Sequence, residues 1–115
     1  MTVTTARGSP SACTVNDKGY IFGGTDGTYR QWTSEYDPSI GGAGGTWTNK
    51  TDCPVPARAV SSAFEISNKA YVNCGYNPVS AYLQDCDEYD PSGDSWISKN
   101  DMPLPARYAS AGCSI

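Results

Sequence analysis

The chain carries five cysteines and no histidine, and this limits the chemistry open to it. Cys13, Cys53, Cys74, Cys86 and Cys113 are scattered, with no Cys-x-x-Cys spacing. A structural zinc site needs clustered Cys or His ligands, so none is expected. The thiols read as buried, reduced, small hydrophobes; disulfides are the alternative for a secreted chain. Without His there is no ready general base, and no Ser or Cys sits in a Gly-x-Ser-x-Gly turn. No catalytic residue and no cofactor is expected, and the chain reads as a non-enzyme. Asp85, Asp87, Asp90 and Asp94 form a local acidic stretch. Calcium would need about six oxygen ligands held in one loop. Asp85 and Asp87 share one face of a strand, while Asp90 and Asp94 fall in a turn. The expectation is a solvated acidic edge that blocks unwanted strand pairing, without a metal.

Charge and hydropathy exclude further classes. Eight Lys and Arg stand against 12 Asp and Glu, for a net charge of -4. A nucleic-acid surface needs clustered basic residues, and no basic run exists. No apolar stretch approaches the ~18 residues of a membrane-spanning helix. Residues Met1 to Pro10 lack the apolar core of a signal peptide.

The elements that position side chains come from an internal repeat. Ala6-Arg7 recurs as Ala57-Arg58 and Ala106-Arg107, at intervals of 51 and 49 residues. Between these marks Lys18-Gly19-Tyr20-Ile21-Phe22-Gly23-Gly24 aligns with Lys69-Ala70-Tyr71-Val72-Asn73-Cys74-Gly75. Glu35-Tyr36-Asp37-Pro38 aligns with Glu88-Tyr89-Asp90-Pro91, and Trp47 with Trp96. Length changes fall between these landmarks, where loops tolerate them. Leu occurs only at Leu83 and Leu104, while 12 Gly and 8 Pro punctuate the chain. This composition disfavours helices and favours short strands joined by turns. Each repeat reads as four strands. The first covers Ser11 to Val15 or Ser61 to Ile66; the second contains Tyr20 to Phe22 or Ala70 to Val72. The third carries Tyr36 or Tyr89 and stops at Asp-Pro. The fourth begins at Trp47 or Trp96. Four antiparallel strands in about 50 residues make one propeller blade.

The Gly-Gly doublet, the Glu-Tyr-Asp-Pro segment and the following Trp together resemble the kelch repeat. The resemblance covers nearly everything after residue 5. It implies an all-β fold of kelch-type β-propeller blades: two four-stranded antiparallel blades, an incomplete ring unless oligomerised or part of a longer chain. Residues 1–5 then form an N-terminal extension, 6–56 the first blade, 57–105 the second, and 106–115 the first strand of a further blade. Some kelch-containing enzymes oxidise sugars with copper bound by His and Tyr; with no His here that chemistry is not carried over, and a fragment of such an enzyme stands as the third reading.

Repeated residues are expected to serve the fold. Gly23, Gly24 and Gly75 supply backbone conformations or close approach that a side chain would block. Tyr36, Tyr89, Trp47 and Trp96 are expected to pack between adjacent blades, as the resemblance implies. Arg7, Arg58 and Arg107 recur, as do Glu35 and Glu88, which suggests a repeated ion pair. Binding is sought where the repeats differ. The connections between second and third strands contain Tyr29, Trp32, Tyr76, Tyr82 and Leu83, and aromatic loops are typical of interaction surfaces. A protein or glycan ligand would bind there. Two blades cannot close a ring, so the main partner is expected to be another copy of the chain. Three chains would form about six blades, in the normal propeller range. A filament, or neighbouring blades of a longer chain, are the alternatives.

Overall fold

The computed structural model describes residues 6–108 and 111–113. The expected extension at 1–5, and residues 109, 110, 114 and 115 of the expected further strand, lie outside them. The fold is all-β, with two four-stranded antiparallel sheets. The first holds β1 (Ser11–Val15), β2 (Lys18–Phe22), β3 (Thr33–Asp37) and β4 (Thr46–Lys50) in chain order. The second holds β5 (Ser62–Ile66), β6 (Lys69–Asn73), β9 (Cys86–Asp90) and β10 (Ser95–Ser98) in the same order. A short ribbon, β7 (Tyr76–Asn77) with β8 (Ala81–Tyr82), fills the longer connection of the second repeat.

Local sequence sets these elements. The first hairpin of each sheet turns at Asn16-Asp17 or Ser67-Asn68, and all four residues have positive φ, between 51° and 64°. Such turns match the twist of the flanking strands, and Asn and Asp tolerate the left-handed conformation best. The hairpins fix corresponding registers: Cys13 faces Tyr20 and Phe64 faces Tyr71. The outer pairs correspond too, with Tyr36 opposite Trp47 and Tyr89 opposite Trp96.

The glycines hold the two repeats together. Gly24 N–H donates to the Arg58 carbonyl at 2.9 Å, carrying the chain from β2 onto the segment before β5. A Cβ on Gly23, at φ 64°, would collide with that same carbonyl. Cys74 occupies the matching position in the second repeat at φ 58°, and Gly75 N–H donates to the Arg107 carbonyl at 3.1 Å.

The core lies between the sheets. Because strand side chains alternate, one face of the first sheet presents Val15, Tyr20 and Phe22. They meet Ala70, Val72 and Tyr89 from one face of the second sheet. Tyr89 packs edge-on to Tyr20 at 5.7 Å and to Phe22 at 6.0 Å, and Trp96 to Phe22 at 5.5 Å. The second sheet therefore docks its Tyr89–Trp96 face onto the Tyr20–Phe22 face of the first. Different faces meet, so the contact is head-to-tail.

Candidate functional site

The repeated charges do not pair as the sequence suggested. Arg58 and Glu88 are not partners. Arg58, 2% exposed, donates from Nη2 to Asp87 Oδ2 at 2.7 Å, and Asp85 stands 4.0 Å away. In the first repeat Arg7 donates instead to Ser34 Oγ at 2.8 Å. Arg107 turns onto the carbonyls of Pro103 and Pro105, both at 3.2 Å. The glutamates belong to a separate repeated cluster. Glu35 accepts from the Tyr20 hydroxyl at 2.7 Å and pairs with Lys18 and Lys50. Glu88 accepts from the Tyr71 hydroxyl at 2.8 Å and pairs with Lys69 and Lys99. The signal was present in the sequence, since Lys18 and Lys69, like Lys50 and Lys99, hold matching positions.

The expected solvated acidic edge is also corrected. β9 is an interior strand between β6 and β10, and Asp87 is buried against Arg58. Asp94 accepts from the Tyr89 hydroxyl at 2.7 Å and from Thr51 N–H at 3.0 Å, tying the two sheets together. Asp94 lies in the turn between β9 and β10, and Asp90, the last residue of β9, accepts from Ser92 N–H at 2.9 Å within it. Among the described residues no Cys, Asp and Glu cluster is arranged to hold a metal.

Among the described residues none of the five cysteines forms a disulfide. Cys53 and Cys74 are buried as expected, Cys13 and Cys86 half-buried, and Cys113 exposed. Burial pushes the Cys13 thiol up to about 11, helped by Glu65. Burial likewise raises Cys53 to about 11. Such thiols stay protonated at neutral pH and are poor nucleophiles.

The cluster charges make acid sensitivity predictable. The Ser39 hydroxyl and Lys18 draw the Asp37 carboxyl from 3.8 to about 2. The Tyr71 hydroxyl, then Lys99 and Lys69, hold Glu88 below its ordinary 4.5. A carboxyl with a depressed pKa stabilises the fold above its unfolded value and loses that contribution as the pH falls. Stability should therefore be level above pH 4.5 with respect to these groups, then decline toward about pH 2. Urea midpoints measured across that range check this; constant midpoints would refute it.

Each sheet has a second, outward face. On the first sheet Ile21, Tyr36 and Trp47 lie outward; Tyr36 packs on Trp47 at 5.1 Å, and Trp47 is 43% exposed. Trp47 and Tyr36 thus differ from Trp96 and Tyr89: among the described residues no second sheet covers them. On the second sheet Phe64 stacks on Tyr71 at 5.6 Å beside Glu88, with Ile66 and Ile97 about half exposed. These positions correspond to Cys13, Tyr20 and Glu35, which lie inside the sheet–sheet contact. Gly112 approaches Phe64 and the Ala63 carbonyl on β5.

The expected aromatic loops come together only in part. Tyr29 meets Tyr76 edge-on at 5.9 Å, and Tyr76 meets Tyr82 at 5.9 Å. Tyr108, which sequence reasoning missed, stacks on Tyr82 at 5.0 Å and completes the row. It follows Arg107 where the other two copies have Gly8 and Ala59, so an aromatic at an otherwise small position was the available signal. Leu83 is no surface residue: it is buried at 5% exposure, and its backbone pairs with Arg107. Trp32 stands apart from the row, with the Arg30 guanidinium 4.3 Å from its ring centre and Arg7 at 5.8 Å.

No family model matches the chain, and no curated protein matches its sequence. Solved structures do match in fold. The structure of YjhT superposes with a TM-score of 0.79 over 96% of this chain, at 18% sequence identity. The chain spans about a third of the length of that protein (32%). At this identity the likeness is one of fold, and the paired four-stranded sheets are similar to an all-β segment of YjhT.

Proposed function

We propose that the chain is a pair of kelch-type β-propeller blades, a non-enzymatic structural module that works by docking its outward faces on further copies of itself. One observation carries this reading. The contact between the two sheets is head-to-tail, and each outward face repeats one half of it. The Tyr36–Trp47 face corresponds to the Tyr89–Trp96 face. The Phe64–Tyr71 face, with Glu88, Lys69 and Lys99, corresponds to the Cys13–Tyr20 face with Glu35, Lys18 and Lys50. In a second copy Tyr36 would cover Tyr71 as Tyr89 covers Tyr20. A head-to-tail contact forms a ring if its rotation closes and a filament if it does not. Three copies would supply six blades, within the range of about 4–8 that closes a propeller.

Sedimentation and native mass spectrometry test the reading. The chain is expected as a multiple of 12.2 kDa, and Trp47→Asp should return it to a folded monomer by placing a charge in the contact. A stable, folded wild-type monomer would overturn self-association. It would favour a second reading, motivated by the 32% coverage of YjhT, in which the covering blades belong to one longer polypeptide.

A further inference from the structure

The row of tyrosines lies apart from both sheet faces and calls for its own explanation. Val60, Tyr76, Tyr82 and Tyr108 line an open groove of about 290 Å³, with Tyr29 set edge-on against Tyr76 at its end. Tyr82 and Tyr108 are each about half exposed, and Val79, at the tip of the β7–β8 ribbon, is 93% exposed. Large apolar side chains left in water on a protruding ribbon suit a partner better than they suit solvent.

We propose that this groove docks an uncharged, proline-rich segment in the polyproline II conformation. Electrostatics argue for the lack of charge. Beside the row, Arg30 is neutralised by Asp26 at 2.9 Å and 3.0 Å, and Arg107 spends two of its donors on the Pro103 and Pro105 carbonyls. No carboxylate or guanidinium lines the groove among the described residues. Shape and hydrogen bonding argue for polyproline II. That helix makes no internal hydrogen bonds, so its carbonyls need outside donors, and its pyrrolidine rings pack on aromatic faces. The groove offers tyrosine hydroxyls as donors and aromatic rings as walls, and a stiff ligand loses little entropy on a shallow surface.

A saccharide fits less well. Sugar hydroxyls call for convergent amide or charged side chains. Asn77, the amide on β7, is committed at both ends. Its Nδ2 donates to the Ala57 carbonyl at 2.6 Å, and its Oδ1 accepts from Val79 N–H at 2.8 Å.

The test is fluorescence anisotropy with a fluorescein-labelled decaproline peptide on the full chain, with a Gly-Ser peptide of equal length as control. Saturable binding is expected, displaced by unlabelled decaproline and not by chitotriose. The double variant Tyr82→Ala, Tyr108→Ala should weaken binding about tenfold or more, through loss of ring contact. The matching Tyr→Phe pair keeps the rings and loses two donors, so a smaller loss of about threefold is expected. Absence of saturation, displacement by chitotriose, equal binding of the Gly-Ser control, or unchanged affinity in the alanine pair would overturn the proposal. If the alanine pair does not fold, the ring-proton NMR shifts of the wild-type chain decide. Shifts on decaproline addition centred on Tyr76, Tyr82 and Tyr108 support the groove; shifts centred elsewhere refute it.

Discussion

Trp96→Ala is expected to destabilise the chain by about 3 kcal/mol, the low end of the range for truncating a buried aromatic, because its ring is partly buried against the core. The Trp96 ring packs on Tyr89 at 4.9 Å and edge-on to Phe22 of the other sheet at 5.5 Å. Its indole N–H donates to the Thr51 carbonyl at 3.0 Å, a second tie between the repeats. Truncation removes apolar contact, opens space between the sheets and leaves that carbonyl without its donor. Trp47→Ala alters the same motif position, yet its ring packs on Tyr36 of its own sheet and is 43% exposed. In dilute protein that substitution should cost under about 1 kcal/mol, as surface changes do. Urea titration of both variants measures the contrast. Equal losses would mean that Trp47 is covered within the single chain. A loss under about 1 kcal/mol at Trp96 would mean that the sheet–sheet contact is not the core.

Asp87→Ala should be comparably severe, at about 3–5 kcal/mol, because it strands a buried guanidinium. Arg58 is 2% exposed, and its Nε has no hydrogen-bond partner among the described residues. Its principal compensation is the 2.7 Å contact with Asp87, whose other oxygen accepts from Ser98 at 2.9 Å. Asp85, at 4.0 Å and partly exposed, compensates weakly. Removing both charges is a different experiment from removing one. In Arg58→Met with Asp87→Leu, apolar groups replace the pair, and such exchanges are often neutral or stabilising. The double variant should therefore recover most of the loss, which a double-mutant cycle reads as strong coupling. If Asp87→Ala and the double variant are equally unstable, the cost lies in packing around Arg58 and not in its charge.

The residues themselves explain which features were legible before the structure. Strand positions followed from short-range signals: paired turn residues at Asn16-Asp17 and Ser67-Asn68, and the Asp-Pro stops after Tyr36 and Tyr89. Two copies in one chain strengthened each of them. Contacts between distant segments were less legible. The recurrence of Arg58 and Glu88 was visible, but recurrence does not name a partner. Strand alternation puts Glu88 on the outward face with Tyr71, and Asp87 on the opposite face where Arg58 reaches it. Leu83 looked like a loop residue because it follows Tyr82, yet its backbone joins the Arg107 segment and turns it inward.

By itself, the sequence determined the all-β class, the two repeats, the strand positions and the absence of histidine chemistry. Composition, turn residues and periodicity are local properties, and local properties suffice for these. Tertiary structure decided how equivalent residues divide between core and surface. Trp47 and Trp96 hold the same motif position, as do Tyr36 and Tyr89, and no local signal separates them. Their difference arises because the first sheet covers one face of the second, while no described element covers the outward face of the first. It also decided that Tyr29, Tyr76, Tyr82 and Tyr108 form one row, since only folding brings their three connections to the same end of the sheets. The lack of histidine that first limited the chemistry remains, and among the described residues the cysteines beside it form no disulfide, with those at Cys13 and Cys53 held protonated by burial. Trp47, Tyr82 and Tyr108 remain as exposed aromatic surface.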